Sequence, residues 1–200
     1  FKIPATILAN KSYSTLGQYR DSELGIYKSF DWFPTVPSGA LAITQFFGIR
    51  INPGTSDEYL ELTHADIIVN YRDFTYSYDP GNINQYDLAS VVLHELGHFL
   101  GLGHQTDSQV NSVMQPYIST FESNRIPFGA DQNTLLDLYT TSGTSPFMGY
   151  QVHSMATPQS SNRVVGEEVQ GIFELRADGE CRHYINNKFI KSHISAHKLK

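Results

Sequence analysis

The sequence predicts an α+β fold: a twisted mixed sheet with a backing helix, an active-site helix and a C-terminal helix, followed by a small β-rich C-terminal extension. Three observations lead there. Apolar residues recur at three- and four-residue steps from Ala89 to Leu100, which is helical spacing. Runs rich in β-branched and aromatic residues before them read as strands. Short strand-like runs separated by turn dipeptides fill the tail.

Taken in order, Lys2 to Ala9 reads as a strand. Asp21 to Trp32 has helical spacing through Leu24, Tyr27 and Phe30 and is closed by Pro34 and Pro37, so it is the expected backing helix. Leu41 to Arg50 and Ala65 to Tyr71 are strands joined by a loop from Asn52 to Glu58. Pro80, Gly81, Asn82 and Asn84 are turn and cap residues, so the next helix is expected to begin near Gln85. It would pack an apolar stripe of Ala89, Val92, Leu93, Leu96, Phe99 and Leu100. A last helix is expected near Asp131 to Tyr139, and Ser142 to Pro146 reads as a linker. The tail then forms a meander: Val169 to Arg176, a turn at Asp178-Gly179, Cys181 to Ile185, a turn at Asn186-Asn187, and Phe189 to Ile194. The chain therefore divides into residues 1–144 and an extension over 145–200. So short a meander cannot build its own core and is expected to dock on the larger unit.

Composition narrows the classes. A 200-residue chain with 40% hydrophobic content can bury one sizeable core, and no run of about 18 apolar residues suggests a membrane span. The net charge of −6, from 14 basic and 20 acidic residues without long runs, gives no basic footprint for nucleic acid. A single cysteine excludes an intrachain disulfide. Phe1 opens neither with methionine nor with a leader, so any signal peptide or N-terminal propeptide is expected to have been removed already. A secreted monomer is the expectation.

The chemistry is concentrated in the run H-E-L-G-H-F-L-G-L-G-H, residues 94–104. On a helix, His94 and His98 lie one turn apart and point the same way, so both reach one metal ion, with Glu95 beside them. The next histidine is six residues further, beyond a glycine. Gly101 can take the positive φ that ends the helix and swings His104 back toward the metal. Three imidazoles leave a fourth zinc position for water, the mark of a catalytic site. Glu95 is the expected general base and acid, so the sequence points to peptide-bond hydrolysis through a Glu-activated, zinc-bound water.

On these residues the sequence resembles the metzincin zinc endopeptidases. Ser112-Val113-Met114-Gln115-Pro116 resembles their methionine turn, which implies that Met114 forms a hydrophobic base under the histidines. Among metzincins the surroundings are most similar to matrixins, the matrix metalloproteinase group. Pro116 follows the methionine by two, His64 to Val69 resembles the strand along the upper rim of the cleft, and Phe128 to Tyr139 resembles the last catalytic-domain helix. The resemblance implies a zincin-like catalytic domain over 1–144, of the type found in bacterial extracellular enzymes, with one catalytic zinc. It implies a protein or peptide substrate bound as an extended strand. The structural-zinc loop of animal matrixins is missing, so no second zinc is expected. Asp73, Asp79 and Asp107 are candidate calcium ligands. For the oxyanion, a backbone amide near Ala65 or the Tyr117 hydroxyl both stand as donors. A mature Phe1 ammonium paired with Asp131 is a further matrixin-like expectation.

Matrixin zymogens are silenced by a cysteine thiolate in the open zinc position, and Cys181 is the candidate for such a switch here, with Arg182 and His183 expected to favour its ionised form. The alternative to an active peptidase is thus a latent or binding protein whose C-terminal extension occupies the cleft. His64, His153, His183, His193 and His197 lack paired spacing and read as surface or interface side chains.

Overall fold

The structure, a computed structural model, describes residues 6–36, 38–55, 58–140, 145–147, 150–152 and 163–194. The strands are β1 (Thr6–Asn10), β2 (Gly25–Ser29), β3 (Ala40–Ile51), β4 (Tyr59–Asn70), β5 (Tyr76–Ser77), β6 (Tyr86–Asp87), β7 (Ser145–Phe147), β8 (Tyr150–Val152), β9 (Val165–Arg176), β10 (Glu180–Ile185) and β11 (Lys188–Ile194). The helices are α1 (Leu88–Phe99) and α2 (Gly129–Thr140). The main sheet runs β1-β2-β4-β3-β9-β10-β11. β1, β2 and β4 are parallel, and from β4 onward each neighbour is antiparallel. A mixed sheet with two helices is the α+β, metzincin-like architecture that the sequence predicts.

The predicted backing helix over Asp21–Trp32 does not form. Its centre is β2, pinned between β1 and β4 with Gly25 opposite Asp66 and Tyr27 opposite Ile68. Period-two burial replaces helical spacing: Ile26 enters the core under α1, while Tyr27 enters the core on the opposite face. Phe30, counted toward the helical stripe, is largely exposed. Gly25 is a poor helix former, and two strand partners outweigh the weak periodicity. The second face of the sheet is instead covered by a short 3-10 helix, Leu16–Tyr19, and by irregular chain carrying Trp32, Phe33 and Val36, all against Ile43, Ile68 and Ile172.

On the first face, α1 packs Leu88, Val91 and Phe99 against Ala42, Phe46, Ala65, Ile67, Val69, Phe173 and Leu175. The helix begins at Leu88 rather than near Gln85. Its cap is Asp87, whose carboxylate accepts from Ser90 N and pairs with Arg125. Of the predicted apolar stripe Phe99 is buried, Val92, Leu93, Leu96 and Leu100 are half-buried, and Ala89 is exposed. The deepest face of α1 carries Leu88, Val91, His94, Glu95 and His98. The physical reason lies in the tail, since β9 and β10 lie over the side that was expected to face a cleft.

The meander forms with both turns where the sequence places them. Gly179 takes φ +80°, and Asn186 and Asn187 take +49° and +61°, the left-handed pair that closes a two-residue hairpin. Its first strand is longer than expected and pairs with β3 from Ile51↔Val165 to Ala40↔Arg176, so it extends the main sheet. The expected linker is also part strand: Ser145–Phe147 is β7, which pairs with β8, and β8 meets β4 at Leu60↔Val152. The rim assignment moves as well. β4 is interior, between β2 and β3, and β3 is the strand whose outer edge borders the histidines.

Candidate metal centre

α1 places His94, Glu95 and His98, and its C-terminus places His104. The helix ends in a Schellman motif: Leu102 N bonds Gly97 O at 2.8 Å, Gly101 N bonds His98 O at 2.9 Å, and Gly101 has φ +93°. Gly101 therefore plays the part that the spacing implied. The returning chain brings His104 Nε2 to 2.9 Å from His98 Nε2 and 3.3 Å from His94 Nε2. Tetrahedral bonds of about 2.0–2.1 Å would set zinc ligands about 3.3 Å apart, so the three nitrogens have the spacing of a shared cation.

Their tautomers suit a metal too. His94 Nδ1 donates to Val113 O at 2.8 Å and His98 Nδ1 to Leu102 O at 2.9 Å, which leaves both Nε2 atoms as lone-pair donors. His104 Nδ1 meets His183 Nε2 at 2.8 Å, a contact in which Nδ1 donating again frees Nε2. Burial pushes the His94 imidazole down to about 4, so it is neutral and ready to ligate at physiological pH. Among the described residues, His94, His98, His104 and Cys181 form the group able to hold a metal ion, with ligand atoms all within 4.8 Å of one another.

Glu95 is fully buried, and desolvation raises its carboxyl to about 8 against the opposing hydrogen bond from Thr44. Thr44 Oγ1 donates to Glu95 Oε2 at 2.5 Å, and it lies 3.1 Å from the Glu95 carbonyl oxygen. Met114 is 3% exposed and packs with Val113 and Leu102 beside α1. A β-carbon at Gly97 would run into its thioether, so the first glycine of the motif is there for close approach. The methionine turn is held by Asp131, whose carboxylate accepts from Ser112 Oγ, from Val113 N at 3.0 Å and from Phe128 N at 2.9 Å. The expected partner of Asp131, Phe1, lies outside the described residues.

The other candidate residues are placed as follows. Cys181 is buried, and its thiol donates to Glu174 O at 2.6 Å. Burial, together with the Glu95 and Glu174 carboxylates, raises it well above an ordinary thiol. Arg182 is committed to Glu180 at 2.7 Å. His183 is 2% exposed against His104, not a surface side chain. His64 is likewise buried, 2.7 Å from Asp66 on the far face of the sheet. His153 and His197 lie outside the described residues. The Tyr117 ring packs under Gly179 in the β9–β10 turn. Asp73 pairs with Arg72, while Asp79 and Asp107 accept from the nearby amides of Gly81 and Gln109.

Sequence reading missed Thr44 and Phe173, and it foresaw neither the Ser112 bond to Asp131 nor the His183 contact with His104. Phe173 stacks on His98 with centroids 3.9 Å apart and planes 3° from parallel. One signal was available: Cys181 and His183 are two apart on a predicted strand and so share a face.

A helix carrying two histidines and a glutamate, turned through glycine to a third histidine above a methionine turn, defines a metzincin-type centre. Residues 54–140 match the matrixin peptidase family model, which supports a matrixin-like metzincin. The match supports a metallopeptidase and implies zinc. β9, β10 and β11 lie beyond the matched segment. No curated protein and no solved structure matches the chain. Among the described residues, no helix is long and apolar enough to cross a membrane.

Proposed function

We propose that this protein is a secreted, monomeric zinc endopeptidase that cleaves extended segments of protein substrates. The carrying observation is the convergence of three imidazole Nε2 atoms, two with tautomers fixed by backbone carbonyls, beside a buried glutamate. His94, His98 and His104 would hold zinc, which would supply Lewis-acid polarisation of the substrate carbonyl and acidify the attacking water. Glu95 takes the proton as water oxygen joins the carbonyl carbon, then delivers it to the leaving nitrogen as the C–N bond breaks. Thr44 holds one carboxylate oxygen in place through this cycle. Met114 sits beneath the centre as its apolar support. Hydrolysis of a mixed quenched-peptide set by the zinc-loaded chain, run beside Glu95→Gln, tests the reading. Hydrolysis at equal rates by both proteins would end it.

A second reading is favoured by one observation, the position of the Cys181 sulfur in the histidine cluster. In this reading the chain folds latent: Cys181 would join the three histidines in holding zinc and would exclude the water that Glu95 needs. Cys181→Ser should then raise hydrolysis by the full chain, and equal rates in the two proteins would exclude the switch.

A further inference from the structure

The outer edge of β3 is where a substrate strand would add to this sheet, because that edge borders the metal-binding nitrogens and carries Thr44, the residue that holds Glu95. β9 fills it. Thr44 pairs with Phe173, Ile43 with Glu174 and Ala42 with Leu175, all antiparallel. The pairing lays the Glu174–Leu175 peptide group across the centre. The Glu174 carbonyl oxygen accepts from Cys181, whose sulfur lies among the three Nε2 atoms, and the Leu175 backbone faces the Glu95 carboxylate. One residue earlier, the Phe173 ring covers His98. A peptide carbonyl held by the thiol beside the histidines, with the next backbone group facing the general base, marks the place where a scissile bond would lie.

The attachment of β9 is divided. Its second half is buried: Val169, Phe173 and Leu175 are core residues. Its first half is fastened by exposed ion pairs, Arg20 with Glu168 and Arg50 with Glu167, the latter at 2.9 Å. Gly171 lets the strand pass close over Phe46, where a β-carbon would meet the ring. The segment also lies outside the matrixin match.

We propose that β9 is an internal stand-in for substrate. An extended peptide binds antiparallel to β3 over residues 42–46, its scissile bond where the Glu174–Leu175 peptide lies, and it does so by displacing β9. β9 itself stays intact because the Cys181 thiol is interposed between the Glu174 carbonyl and the histidines. The proposal rests on the peptidase reading for the fate of the bound peptide, but strand exchange is measured without hydrolysis.

The experiment uses the full zinc-loaded chain and an extended hexapeptide ending in a hydroxamate, a bidentate zinc chelator. Binding is measured by calorimetry, and backbone protection by hydrogen exchange with mass spectrometry. Glu167→Arg/Glu168→Arg places like charges against Arg50 and Arg20 at exposed positions, so it loosens β9 without touching the core. Gly171→Val loosens the same strand at Phe46. The expected result is binding at least tenfold tighter in the charge-reversed variant than in the parent. Amides of 168–175 should lose protection on binding while those of 42–46 keep it. Equal affinities, no binding by any of the proteins, or binding that leaves 168–175 protected would overturn the proposal. If the strand exchanges but quenched peptides survive in every variant, the peptidase reading fails and the strand assignment stands.

Discussion

Asp131 connects the last helix to the metal centre, and its removal has a size that the structure sets. Its carboxylate is 3% exposed and serves Ser112 Oγ, Val113 N and Phe128 N, while Val113 O in turn receives His94 Nδ1. Asp131→Ala leaves three donors without an acceptor. At about 1–2 kcal/mol for each lost charge-assisted bond, the expected cost is about 3–6 kcal/mol, a large part of an ordinary domain's stability. Asp131→Asn is milder for a specific reason. One amide oxygen can still accept from both backbone amides, and the Ser112 hydroxyl can turn to accept from the new NH2 group, so only the charge assistance is lost, about 1–2 kcal/mol. Because the same turn orients His94, zinc affinity should fall about 10–100-fold in Asp131→Ala. Urea unfolding of chelator-treated protein gives the first quantity, and competition with a zinc-binding dye gives the second. Asp131→Ala within about 1 kcal/mol of the parent, or Asn as damaging as Ala, would refute the reasoning.

Two further perturbations probe the packing and the far face. Gly97→Ala pushes a methyl group into the Met114 thioether, and overpacking of this kind costs about 1–3 kcal/mol. Thermal unfolding beside the surface variant Gly54→Ala, which meets no neighbour but carries strain from its φ of +79°, separates the steric cost from backbone strain. His64 gives a pH signature. Burial disfavours its charge, but the hydrogen bond and charge of Asp66 and the Tyr19 carbonyl outweigh this and hold the imidazole above 6.5. A folded pKa raised in this way adds stability below pH 6.5 that is lost as pH rises through the folded value. The difference in unfolding free energy between the parent and His64→Gln should therefore shrink from pH 6 upward, by at most about 1.4 kcal/mol per pH unit. A constant difference across that window would contradict the pairing.

What could be read from the sequence was local. The metal helix, its glycine-ended bend and the two tail turns depend on residues within a few positions of one another, and each formed where its spacing placed it. The helix over Asp21–Trp32 failed because its apolar residues serve two faces of a strand whose partners, β1 and β4, are not its neighbours in the pattern. The burial of the histidine face was hidden for a similar reason. It comes from β9 and β10, and His183 meets His104 across a separation of 79 residues. No periodicity encodes such a contact. Cys181 stood out by chemistry alone; its register opposite Leu175, which brings its sulfur over the histidines, is a property of the β9–β10 turn and the long ladder to β3.

The central claim is that His94, His98 and His104 share one zinc ion beside Glu95. Zinc-edge X-ray absorption on the full chain, with metal analysis of the parent and His98→Ala, tests it most directly. The account predicts one zinc per chain with nitrogen neighbours at about 2.0–2.1 Å and loss of stoichiometric zinc in His98→Ala; an added sulfur neighbour at about 2.3 Å would select the latent reading. A parent that retains no zinc, or a His98→Ala variant that holds as much zinc as the parent, would contradict it.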